Sequence, residues 1–155
     1  MTQIRLSSNE THAIMLGGMT DDAIAQLTAV ELYTDTEGWA RLRAVPLSLS
    51  EGSPLTRLTP LAPSGGWQLR RSPADFTSDF HCTTDPQWLV VLAGRMEIGL
   101  RDGSARVFGP GEFFYSNDTL PAGASFDPAR HGHRSRALGG QPLTTLFVRA
   151  ARLAG

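Results

Sequence analysis

The chain of 155 residues contains a single cysteine, Cys82, and no lysine. One thiol excludes an intramolecular disulfide framework and any zinc site built on several cysteines. All 14 cationic side chains are arginine, which points to a GC-rich source and also suits carboxylate recognition. Neither sign of charge dominates. The 14 cations against 15 carboxylates leave a formal charge of -1, which argues against an electrostatic nucleic-acid binder. No apolar run approaches the roughly 18 residues needed to cross a bilayer, so no membrane association is expected. The opening residues, MTQIRLSSNETHAIML, have no long apolar stretch and no cleavage signal, and a cytoplasmic protein is expected. No glycine-rich loop leads from a strand into a helix, and no serine sits in a nucleophile elbow, so nucleotide binding and serine hydrolysis are disfavoured.

What the chain has in quantity is punctuation. Sixteen glycines and 10 prolines separate short segments at intervals of roughly eight to twelve residues, the spacing of an all-β sandwich or barrel. One stretch reads as a short helix, with Thr20 capping Asp21 and Asp22 and with Ile24 and Leu27 sharing a face. AVELYT (29–34) and WARLRAV (39–45) alternate about a polar turn and predict a hairpin. In LTRLTPLAP (55–63), Pro60 confines any strand to an edge or a bulge; WQLRR (67–71) follows a glycine turn. From Phe76 onward, FTSDFHCT, WLVVLAG, RMEIGLR and SARVFGPGEFFY form a strand series, with Asp102-Gly103 as a tight turn. The polar span 117–132 reads as a long loop, and LTTLFVRA (143–150) as the last strand.

The segment around His81 resembles the first motif of the cupin family, which runs from His-x-His through Glu to a closing Gly. His81, Thr83, Gln87 and Gly94 occupy those positions here, and LVVLAGRMEI is similar to the strand, turn and strand that end it. Pro110-Gly111-Glu112 resembles the turn that opens the second motif, and HRSRALGGQPLTTLFV resembles its end, with His133 at the histidine position. The likeness covers roughly residues 67 to 150. A rival alignment sets Pro121-Ala122-Gly123 on the turn and Phe126 at the histidine position. The distance to the Gly-Gly-Gln-Pro turn favours His133, with an insertion at 119–131. The resemblance implies a cupin-like double-stranded β-helix, or jelly-roll barrel, over 51–155. A short N-terminal extension (1–50) would pack outside it or add strands to a partner's sheet. A homodimer is also implied.

In the family, two histidines and a glutamate of the first motif join a histidine of the second to hold a divalent metal. Here Thr83 and Gln87 replace two of those ligands. Strand alternation would turn Asp79, His81 and Thr83 together and Cys82 away. His81, Gln87 and His133 are thus the candidate ligands for zinc, iron, nickel or manganese, with His131 or Asp79 as a possible fourth. His81, His133 and Tyr115 are the candidate catalytic residues, the histidines as proton shuttles and Tyr115 as the aromatic with the best claim to face the pocket. Arg70, Arg71, Arg134 and Arg136 fit either an anionic ligand or solvated strand faces. The span 117–132 is a candidate lid, with Gly123 and Gly132 as hinges. The leading function is an enzyme doing metal- or His-assisted proton transfer on a small organic, polyketide-like metabolite: isomerisation, cyclisation, dehydration or decarboxylation. The alternatives are an iron oxygenase of the same fold and a non-catalytic binding module whose metal site has decayed.

Overall fold

A computed structural model describes residues 26–151 and 153. The chain opens on β1 (Gln26–Thr34) and β2 (Ala40–Ser48), an antiparallel hairpin in register from Gln26↔Ser48 to Thr34↔Ala40. Its turn is fastened by Asp35, whose Oδ1 accepts the backbone N–H groups of Glu37 and Trp39 at 2.9 Å each. The short helix expected from Thr20 lies outside the described residues as far as residue 25, and Leu27 belongs to β1. A small ribbon follows, β3 (Glu51–Ser53) with β4 (Thr56–Leu58), which ends two residues before Pro60. The remaining strands are β5 (Trp67–Ser72), β6 (Gln87–Ala93), β7 (Arg95–Gly99), β8 (Ala105–Phe108), β9 (Phe113–Asn117), β10 (Arg134–Leu138) and β11 (Leu143–Arg149). No helix occurs among the described residues.

The strands assemble as a six-stranded sheet ordered β2-β1-β9-β6-β11-β5 and a three-stranded sheet ordered β10-β7-β8. Val30, Leu32, Leu89, Val91, Phe114 and Leu143 of the large sheet pack with Met96, Ile98 and Phe108 of the small one. Phe108 and Phe114 meet across the interface with ring centroids 4.5 Å apart, and burial of such a side chain contributes about 1.5–3 kcal/mol. The architecture is all-β, with a cupin-like arrangement of two sheets over one core. Neither sheet closes on itself among the described residues. The β1–β2 hairpin extends this chain's own large sheet, because β1 pairs in parallel with β9, from Val30↔Phe114 to Tyr33↔Asn117.

One expectation is corrected. FTSDFHCT is not a strand; it touches the small sheet at two isolated bridges, Thr77↔Arg136 and His81↔His133. Between them the Ser78 hydroxyl accepts the Ser135 N–H at 2.9 Å, taking the place of a ladder carbonyl. In β5 the apolar residues lie on the exposed face. Trp67 and Leu69 are 68% and 60% exposed, while Ser72 is buried and Arg70 half-buried. Arg70 lies opposite Thr145 in the β5–β11 register, and Thr145 is fully buried, so the polar face of this strand is the inner one.

Candidate functional site

The inner faces of the two sheets part at one end to leave a cavity of about 180 Å³. Leu89, Phe114 and Phe147 from the large sheet and Met96 and Ile98 from the small one form its apolar wall. The polar lining comes from His81, Thr83, Gln87, Ser116, His133, Ser135, Arg70 and Arg149. Three expected site residues, His81, Gln87 and His133, are therefore brought to one cavity. Cys82 lines it too, contrary to strict alternation, because residues 82–86 carry no regular strand geometry.

The two histidines are held backbone to backbone. His81 N–H donates to His133 O at 2.9 Å, and His133 N–H donates to His81 O at 3.0 Å. Their ring centroids are 4.7 Å apart. Gly132 makes this approach possible: its φ is +86°, and a Cβ there would lie 2.5 Å from His81 O. His133 is buried and His81 exposed at the rim. Both rings are fixed in one tautomer. His81 Nδ1–H donates to Asp79 O at 2.9 Å, and His133 Nδ1–H donates to Asp118 Oδ2 at 2.8 Å. In each ring Nε2 is left as the proton acceptor.

Asp118, which the sequence reading did not single out, organises the deep side of the site. It is fully buried, and its Oδ1 accepts from the Thr34 hydroxyl at 2.7 Å. That hydroxyl also lies 3.0 Å from Thr119 O. Burial holds the His133 imidazole below its usual pKa of 6.5, with Asp118 opposing the shift and His81 adding to it. His133 is accordingly neutral, with its lone pair on Nε2. The Cys82 thiol is pushed up to about 11, chiefly by burial and then by Asp118, and so is no nucleophile at neutral pH.

Tyr115 is a correction. It sits on the opposite face of β9 from Phe114 and Ser116, packs on Trp88 at 5.2 Å, and donates its hydroxyl to Ala150 O at 2.9 Å. Alternation along β9 puts it outside the cavity. His131 is turned into its own loop, where its Nδ1 accepts the Asp127 N–H at 2.9 Å. Asp79 contributes only its carbonyl. The span 118–133 is a loop between β9 and β10; its Thr119, Leu120 and Phe126 line an outer groove that His81 shares.

The tautomer seen in both histidines also suits a metal ligand, so the remaining donors decide whether a metal fits. Thr83 Oγ1 is engaged with Ser116 Oγ at 2.6 Å. Gln87 Oε1 is buried with no partner and offers a neutral oxygen. Among the described residues no carboxylate lines the cavity, and a guanidinium, Arg70, does. Among the described residues, no group of three or more His, Cys, Asp and Glu is placed to hold a metal ion. Two imidazoles and one neutral amide oxygen beside a guanidinium make a poor donor set for a resident dication, because the nearby cation opposes its charge.

No family model matches the chain, and no curated protein matches it. Among solved structures it is similar to the polyketide cyclase RemF from Streptomyces resistomycificus (23% identity, TM-score 0.38), over 56% of this chain and 55% of that one. The match thus spans about half the length of the cyclase. Protein NMB1881 from Neisseria meningitidis matches at 13% identity and TM-score 0.37, over 54% of this chain and 71% of that one. The cupin domain of Schizosaccharomyces pombe Cnp3 matches at 15% identity and TM-score 0.41, over 84% and 88%. Likenesses at this level carry nothing about chemistry. The chain's own features are the facing sheets, the Gly94 turn between β6 and β7, the Pro110-Gly111 turn before β9, and the pairing of His81 with His133. Together they give it a fold of the cupin type.

Proposed function

We propose that the chain is a small-molecule enzyme in which His133 moves a proton to or from a carbon acid bound in the cavity. The observation that carries this reading is the His133–Asp118 pair. A buried carboxylate fixes the imidazole so that Nε2 is a neutral base, and no described residue bonds that nitrogen. Deprotonation there would place the positive charge on an imidazolium already bonded to Asp118. His81, at the rim with its own Nε2 free, relays the proton to solvent. Isomerisation, cyclisation, dehydration and decarboxylation each include such a transfer. In this reading the two sheets are the halves of a jelly-roll barrel, and the cavity is its mouth.

The test is hydrogen exchange in D2O. Small 1,3-dicarbonyl compounds are incubated with the full chain and followed by NMR. The wild type accelerates exchange at the central carbon, and His133→Asn loses the roughly 10²–10⁴-fold that a positioned general base supplies. Equal rates for the two proteins overturn the proposal and leave a non-catalytic binding module.

The chain is also proposed to form a homodimer through the outer face of the large sheet. Register places Trp67, Val148 and Trp88 in one row and Leu69, Leu146 and Val90 in the next. Trp67 and Leu69 are exposed and the other four are half-buried, and monomers rarely leave adjoining large apolar side chains in water. Sedimentation should give twice the monomer mass, falling to the monomer mass in Leu69→Glu; a monomeric wild type refutes it.

A further inference from the structure

We propose that Arg70 is the anion-recognition residue of this cavity, and that the ligand it selects carries a carboxylate. The inference rests on reading the cavity as a small-molecule site, though not on proton transfer within it. Nε and Nη2 of Arg70 are buried and have no hydrogen-bond partner. Those two groups form one edge of the guanidinium, the edge that grips a carboxylate through two parallel bonds. The same edge is used elsewhere in this molecule: Arg136 Nε and Nη2 reach the two oxygens of Glu97 at 2.6 and 3.0 Å. Arg41, Arg43 and Arg149 likewise have carboxylates of their own. At Arg70 the fork is formed and faces no acid.

The surroundings hold that fork in place. The guanidinium carbon sits over two aromatic rings, 5.1 Å from the Phe76 centroid and 4.7 Å from that of Phe147, contacts that favour a cation at this place. Thr145, opposite Arg70 on β11, has a buried hydroxyl without a partner, and Gln87 Oε1 is in the same condition. Native proteins rarely leave buried polar groups unsatisfied without a functional reason. A cation and a hydroxyl on one inner sheet face, with no acid among the cavity lining, are complementary to an anion with two coplanar oxygens. The apolar wall of Leu89, Phe114 and Phe147 suits the rest of such a ligand.

The probes are benzoate and its neutral isostere benzamide, titrated calorimetrically into the full chain. The wild type should prefer benzoate by at least about tenfold, the contribution of a charge-assisted pair. Arg70→Met should bind both alike, Arg70→Lys should recover part of the preference, and Arg136→Gln should retain all of it. Arg70→Met should also melt no lower than the wild type without ligand, because it removes a half-buried cation that no carboxylate neutralises; a purely structural arginine would lower it. No preference in the wild type, or an undiminished preference in Arg70→Met, overturns the assignment. A failed exchange experiment with an intact benzoate preference therefore removes the proton-transfer reading alone.

Discussion

Replacing Asp118 by asparagine isolates the part of the site that the carboxylate controls. The side chain is fully buried and has two recorded partners, Thr34 Oγ1 at 2.7 Å and His133 Nδ1 at 2.8 Å. Asparagine is isosteric and can satisfy both. Its carbonyl faces the His133 N–H, and its amide nitrogen faces Thr34, whose hydroxyl turns its hydrogen to Thr119 O, 3.0 Å away. The fold should therefore persist while the charge is lost. A hydrogen bond to a charged group contributes about 1.5–3 kcal/mol and a neutral one about 0.5–1.5, so the preference for the Nδ1–H form weakens by roughly 1–2 kcal/mol. At 1.4 kcal/mol per factor of ten, that is about a five- to thirtyfold change in the tautomer ratio. The His133 pKa should also fall further, since Asp118 is what raises it against burial. Nitrogen-15 spectra of the imidazole read both quantities directly. A His133 spectrum in Asp118→Asn identical to that of the wild type, with the same titration, would refute the account of how this ring is oriented.

Three further outcomes follow from the same geometry. Burial lowers the His133 pKa from 6.5, so below pH 6.5 the unfolded chain binds a proton that the folded chain does not. Stability should fall with decreasing pH from 6.5 toward the folded pKa, by at most about 1.4 kcal/mol per pH unit, and urea midpoints of His133→Asn should lack this component. Gly132→Ala should cost roughly 1–2 kcal/mol for the left-handed backbone alone; a Cβ 2.5 Å from His81 O adds to that and separates the two rings, so unchanged stability and ring contacts would contradict the bridge. Dialysis against a strong chelator should leave the melting temperature unchanged, because the donor set does not suit a resident dication; a fall reversed by added metal would show otherwise.

The strands were legible where alternation and turn chemistry agreed. Asp35 to Gly38 between two alternating runs marked the first hairpin, and Asp102-Gly103 the turn between β7 and β8. The segment around His81 misled because its residues alternate, yet a serine hydroxyl and two bridges replace a ladder. His81 and His133 carried a motif and were visible. Asp118 carried none: its role depends on where the loop returns and on Thr34, 84 residues earlier. Arg70 and Arg71 were indistinguishable in WQLRR, since only the register with Thr145 decides which faces inward. Tyr115, expected at the pocket, is turned away from it by one step along β9.

The parallel pairing of β1 with β9 bears on the order of assembly. The hairpins β1–β2 and β7–β8 close over short loops, but Val30 meets Phe114 only after most of the chain has been made. Long loop closure is entropically late, so the Thr34–Asp118 bond should form after the local hairpins, and the chemistry of the cavity after the cavity itself. Until then β9 presents an open edge to other chains. A chain begun at residue 51 would keep that edge permanently and leave Asp118 Oδ1 without its hydroxyl donor. The β1–β2 hairpin, first among the described strands, is the piece that completes the large sheet.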